Sequence, residues 1–167
     1  MVKKKRIKQE LPNRVSELIQ LAVKDAKAIE RSKTAILNMR IWQVVSLTKN
    51  NKCEVCMAGA VMRQTLKLQN KIDKRRLRDE YDKRFVSLHP DDANDLDTQI
   101  KLRLIDNIRR GHLRSAIAAL SGHKSLGEMD IKLIDQLEVL LKKRLNGGTA
   151  PWGVYLKVAR ELKKVGL

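Results

Sequence analysis

The chain is poor in aromatic residues: of 167 residues, only Trp42, Tyr81, Phe85, Trp152 and Tyr155 carry a benzenoid or indole ring. Binding of single strands by successive base stacking needs a platform of aromatic faces, so that mode is excluded, and any core must be aliphatic. Two cysteines, Cys53 and Cys56, are too few for a disulfide scaffold. No run approaches about 18 apolar residues, which predicts no membrane span. No apolar segment follows the basic N-terminus, which predicts no secretory signal. A reduced, cytoplasmic setting is the natural expectation. Acidic residues are also in short supply. Nineteen Asp and Glu face 36 Lys and Arg, a formal charge of +17. This excludes an acidic mimic of DNA and points to polyanionic partners.

With 43% apolar residues, the chain has enough hydrophobic side chain for a real core. Its most compact apolar run is Cys53 to Leu66, CEVCMAGAVMRQTL. Val55, Ala58, Gly59, Met62 and Leu66 share one stripe at helical spacing, and the small residues invite close approach of a neighbouring backbone. The expected architecture is all-α: a single domain over residues 11–167, behind a basic leader at 1–10, with six to eight short helices around a central buried helix at about 53–68.

Other helices read from the same periodicity. Val15, Leu18, Ile19, Ala22, Ala26 and Ile29 predict a helix over 13–30, with Pro12 in its first turn. Residues 33–47 are ambiguous. They alternate like a strand, but no second convincing strand exists to pair with it, so a short helix over about 39–47, capped at Asn38, is expected. Leu96, Ile100, Leu104 and Ile108 predict a helix at 93–110, capped by Asp91 or Asp92. Gly111 breaks it before a short helix at 113–120. Ser125 and Glu128 have capping-box spacing ahead of the clearest helix, whose stripe is Leu133, Ile134, Leu137, Leu140, Leu141 and Leu145. Gly147-Gly148 ends it. Pro151 opens a last helix with Val154, Tyr155, Val158, Ala159 and Leu162 inward.

The run CEVCMAGAVM, preceded by MRIWQVV and followed at the chain's end by W-x-x-Y…A-x-x-L-x-x-x-G-L, resembles a set of small uncharacterised phage and prophage proteins. These carry a Trp about ten residues before a C-x-V-C-L-A-G-A-V-M core. Trp42, Cys53, Val55, Cys56, Ala58, Gly59, Ala60, Val61 and Met62 match, with Met57 in place of Leu. The resemblance covers residues 39–66 and implies a phage-related origin with no established activity. Its setting would be the host cytoplasm.

Catalytic and metal chemistry find little foothold. Cys53-x-x-Cys56 has zinc-ligand spacing, but His89, His112 and His123 complete no standard set, so core thiols are expected. A redox pair or a thiol nucleophile would need strand context or a signature that is missing. No Gly-rich loop of Walker or Rossmann type occurs. The expectation is no enzyme, no cofactor and no metal. Leu102 to Leu120 has the outline of a helix-turn-helix, but its short second helix offers only Arg114 and Ser115, so an αα-hairpin is expected.

The strongest functional signal is the basic face at 63–84. Lys67, Lys71, Lys74, Arg75, Arg76 and Arg78 can track phosphates along a backbone, with Arg109, Arg110 and Lys143 as second-rank contacts. Asp73, Asp79, Glu80 and Asp82 interrupt this face, and intrahelical pairing accounts for part of the pattern. The expected function is binding of nucleic acid, or of a nucleic-acid-bearing host complex, by phosphate-backbone electrostatics. The alternatives are a phage-encoded inhibitor that binds a host defence complex such as a CRISPR effector directly, and sequestration of anionic signalling nucleotides. The oligomeric state is not legible in the sequence.

Overall fold

A computed structural model describes residues 10–31, 35–37, 43–46, 53–66, 85–87, 96–120, 127–145 and 152–167. Its body is all-α, as the sequence predicts. Six helices are described: α1 (Val15–Arg31), α2 (Met57–Leu66), α3 (Leu96–Arg109), α4 (Leu113–Leu120), α5 (Glu128–Leu145) and α6 (Trp152–Lys164). Among the described residues, they supply every side chain of the buried core except Leu11 and Cys56.

The core is built around α1. Val15, Leu18, Ile19, Ala22, Val23, Ala26 and Ile29 form its buried stripe, and α2, α3, α4 and α6 all pack on this helix. Burying each Leu, Ile or Val contributes roughly 1.5–3 kcal/mol, so the stripe is a large share of the driving force. α1 and α6 run antiparallel. At one end Ser16 donates from N and Oγ to the Leu167 main-chain oxygen, both at 3.1 Å. At the other end Trp152 Nε1 donates to Glu30 Oε2 at 3.0 Å. The start of α2 is buried, as expected, with Met57, Ala58, Ala60 and Val61 fully covered, and the helix packs on α1 and α3. Small side chains there let three helices meet closely. The element on which most others pack is nevertheless α1, not α2.

The sheet is the main departure from expectation. Strands β1 (Ala35–Leu37), β2 (Gln43–Ser46), β3 (Cys53–Val55) and β4 (Phe85–Ser87) form one sheet in the order β1-β3-β2-β4. β1 lies parallel to β3, and β2 is antiparallel to both β3 and β4. The helix expected over 39–47 is therefore wrong at 43–46, where Val44 and Val45 suit a pleated strand. The helix expected from Cys53 begins at Met57, because 53–55 pair as a strand. Each strand has only three or four residues, and β4 comes from far along the chain, so local periodicity carried no sign of the pairing.

Helix ends explain the remaining shifts. α1 starts at Val15, which leaves Pro12 outside it. α3 ends at a Schellman turn: Gly111 has φ 86°, its N–H reaches Ile108 O at 2.9 Å, and His112 N–H reaches Asn107 O at 2.8 Å. The same motif closes α6, with Gly166 at φ 83° and Leu167 N–H on Leu162 O at 3.0 Å. α5 is capped by Gly127, whose carbonyl accepts from Asp130 and Ile131 at 3.0 and 3.1 Å; Ser125 and Asn38, the caps the sequence suggested, lie outside the described residues. The buried face of α3 is also rotated from the expected stripe. Leu104 and Ile108, with Ile105 beside them, are buried as expected, but Leu96 and Ile100 are exposed, and Thr98, Lys101 and Leu102 turn inward on the other side.

Lys101 is 3% exposed and fully used. Its ammonium donates to Leu11 O at 3.0 Å, Asn13 Oδ1 at 2.7 Å and Asp97 Oδ2 at 2.7 Å. Three donors meet three acceptors, which pins the approach to α1 onto α3. Lys101→Ala strands the buried Leu11 carbonyl, while the exposed Asn13 and Asp97 turn to water, and is expected to cost about 1–3 kcal/mol, read as a lower urea midpoint. Lys101→Met keeps the stem and is expected to lose less.

Candidate nucleic-acid interface

Of the nine nominated cations, Lys67, Lys71, Lys74, Arg75, Arg76 and Arg78 lie outside the described residues. The other three fall in different environments. Arg109 is a correction to the sequence reading: it is 8% exposed, and its Nε donates to Asp106 Oδ1 at 2.7 Å. The rotated face of α3 carries it into the core, so it serves as a structural cation and not as a surface contact. Arg110, the next residue, points outward and reaches the second oxygen of the same Asp106 at 3.2 Å. Lys143 is exposed on α5 and has no ion-pair partner among the described residues.

The corner between α3 and α4 gathers cations against α5. Arg114 N–H, in the first turn of α4, donates to Glu138 Oε2 at 2.9 Å, and its guanidinium approaches Asp135 at 3.5 Å. Lys142 donates to Glu138 Oε1 at 2.7 Å. Partial burial pushes the Glu138 carboxyl up, but the Lys142 hydrogen bond, the Arg114 N–H and the charges of Lys142 and His112 hold it below the ordinary range. Glu138 thus completes the N-terminus of α4, as an anion does at a helix start. Three of the corner's cations are balanced by Asp106, Asp135 and Glu138. α3 and α4 pack on each other across the Arg110–His112 turn, and the Arg114 guanidinium lies in an exposed pair with α5.

Beneath this corner lies a buried polar group. Cys56 is the N-cap of α2: its carbonyl accepts from Ala60 at 2.8 Å and its Sγ from Gly59 N–H at 3.4 Å. Burial pushes its thiol above the usual value, outweighing the opposite pull of the Gly59 N–H and the Arg109 charge. Tyr155, fully buried on α6, donates its hydroxyl to Arg109 O at 3.3 Å, and burial likewise drives its pKa upward. A helix start beside an arginine would ordinarily activate a cysteine, but complete burial wins and keeps this thiol protonated. Among the described residues no group of three or more His, Cys, Asp or Glu is placed to hold a metal. His89 and His123 lie outside the described residues, and His112 is exposed.

Sequence reasoning missed the outer side of α6. Lys157, Arg160, Lys163 and Lys164 are exposed there, with Glu161 as the helix's lone acid. The reading of this segment had followed only its apolar stripe. The signal was available as the complement of that stripe, since residues opposite Tyr155, Val158 and Leu162 must face solvent. Comparison of the chain with protein-family models, curated proteins and solved structures finds no match.

Two outcomes follow from the buried groups. In the folded protein Cys56 is expected to resist iodoacetamide at pH 8 and to react only on denaturation, with site-resolved mass spectrometry as the readout. Asp25 on α1 is 8% exposed, and burial raises its carboxyl to about 6, only partly offset by Lys24. A raised carboxylate pKa means the fold binds that proton more tightly than the unfolded chain. Its stabilising contribution is complete below about pH 4 and is lost as pH rises through about 6. Asp25→Asn is therefore expected to gain in Tm relative to the parent as pH goes from 5 to 7.5; a pH-independent difference between the two would contradict it.

Proposed function

We propose that this protein is a non-enzymatic, strongly basic accessory protein of phage type that binds nucleic acid, or a nucleic-acid-bearing complex, through the phosphate backbone. The observation that carries the reading is the charge balance. A surplus of 17 positive charges cannot be matched by the chain's own carboxylates. Within the described body many acids are already taken. Asp97 serves Lys101, Asp106 serves Arg109 and Arg110, Asp135 lies against Arg114, and Glu138 serves Lys142. Lys143 stands in solvent with no carboxylate partner among the described residues, and Lys157, Arg160, Lys163 and Lys164 share the single acid Glu161 on their helix. Most of the surplus belongs to the remaining sequence, including the leader and the 67–78 run.

A surface of this kind gains free energy chiefly by releasing counterions from a polyanion. It has few rings for stacking bases, which favours duplex or structured RNA over single strands. The phage assignment rests on the Trp42 and Cys53–Met62 motif. No helix among the described residues is long and apolar enough to cross a membrane.

Reversing Lys67, Lys71 and Lys74 to Glu is expected to weaken binding to duplex DNA or duplex RNA at least tenfold. The slope of log K against log salt should become shallower by about 2–3. Capture from host lysate with and without nuclease separates the alternative of a protein-directed inhibitor of a defence complex. Partner recovery that survives nuclease favours that alternative; its loss supports backbone binding.

A further inference from the structure

Among the described residues, α6 is held from one side only. Tyr155, Val158, Ala159 and Leu162 are fully buried against the body, and the helix is closed at both ends by the contacts to Glu30 and Ser16. The opposite side carries Gly153, Lys157, Arg160 and Lys164, all exposed, at the i, i+4, i+7, i+11 spacing of a single helical stripe. We propose that this stripe is a second phosphate-tracking surface, docking one strand of a duplex along α6; the proposal rests on the backbone-binding reading above.

Three observations favour it over a merely solvated face. First, the helix dipole accounts for cations in the last turn, Lys163 and Lys164, but not for Lys157 and Arg160 in the middle of the helix. Neither of these two forms a close ion pair among the described residues. Their charges, after the hydrogen bond and charge of Lys164, help to hold the one acid of the helix, Glu161, below the ordinary carboxylate range, which leaves four cations to one acid on this helix. The pair Lys164–Glu161, at 2.9 Å, is exposed and weak, so a phosphate readily displaces it. Second, Lys157 to Lys164 spans seven residues, or roughly 10 Å at about 1.5 Å rise per residue. That length covers about two to three phosphates of one strand, whose neighbours stand farther apart than their roughly 3.4 Å of axial advance because the strand winds. Third, Gly153 has nothing within 4 Å of where a Cβ would stand. Internal packing does not require a glycine there. With no side chain at this position, a strand can approach the helix backbone closely there.

The geometry also selects among polyanions. A basic helix lying on a lipid surface must insert its apolar face, and the apolar face of α6 is consumed by the core. A nucleic-acid backbone asks only for the exposed side.

The test uses the full chain and two fluorescent 24-base-pair probes of arbitrary sequence, one DNA and one RNA. Lys157→Glu/Arg160→Glu/Lys164→Glu is compared with the parent and with the Lys67/Lys71/Lys74 reversal. The expected result is at least a tenfold affinity loss for one duplex type and a shallower salt slope, with unchanged helical circular dichroism. If the charge-reversed protein does not fold, Lys157→Gln/Arg160→Gln/Lys164→Gln replaces it, with a threefold or greater loss expected. Unchanged affinity in the folded α6 variant, alongside a loss in the 67/71/74 variant, overturns the α6 surface and leaves the backbone reading intact. A parent protein that binds neither duplex overturns both.

Discussion

The antiparallel contact between α1 and α6 is the interaction on which the rest of the body depends. With so few rings available, the core is assembled from many aliphatic side chains, each contributing a modest amount. Such a core needs one long, continuous apolar stripe on which the other elements can register. α1 provides it, and the Ser16–Leu167 and Trp152–Glu30 contacts fix α6 along its length. α2, α3 and α4 then close over the remaining faces of α1. Because α6 is tied at both ends, its outward cations are displayed on a frame that cannot readily turn them inward.

A protein with this much positive charge has to decide where each cation goes. Among the described residues, two enter the interior. Lys101 is satisfied by three oxygens, and Arg109 is paired with Asp106 under the hydroxyl of Tyr155. A buried ion pair adds little net stability, but removing one partner leaves the other uncompensated, so these contacts fix geometry more than they add energy. Asp25 is the counterexample, a carboxylate kept from water with no hydrogen bond or ion pair to it among the described residues. Its raised pKa is the expression of that cost.

Cys56 illustrates how context reverses a familiar chemistry. Its position at the start of α2, near a guanidinium, has the parts of an activated thiol. Burial removes the solvent that a thiolate needs, and the sulfur becomes a capping acceptor for Gly59 instead. The same spacing of cysteines on a surface loop would have meant something different.

Much of this was written in periodicity. The inward residues of α1 and α6, and the extents of α5 and α6, follow from apolar spacing because an amphipathic helix buries one stripe whatever surrounds it. The overall charge, and with it the kind of partner to be expected, is a property of composition alone. What the sequence could not decide depended on residues distant from one another. The strand identity of 43–46 and 53–55 exists only through pairing with segments such as 85–87, and no local pattern encodes a partner. The rotation of α3 that hides Arg109 and exposes Leu96 is set by how α3 packs on α1 and α2, since a helix with apolar residues on two sides has more than one face to bury. Charge was fixed by composition; which charges remain available to a partner was fixed by packing.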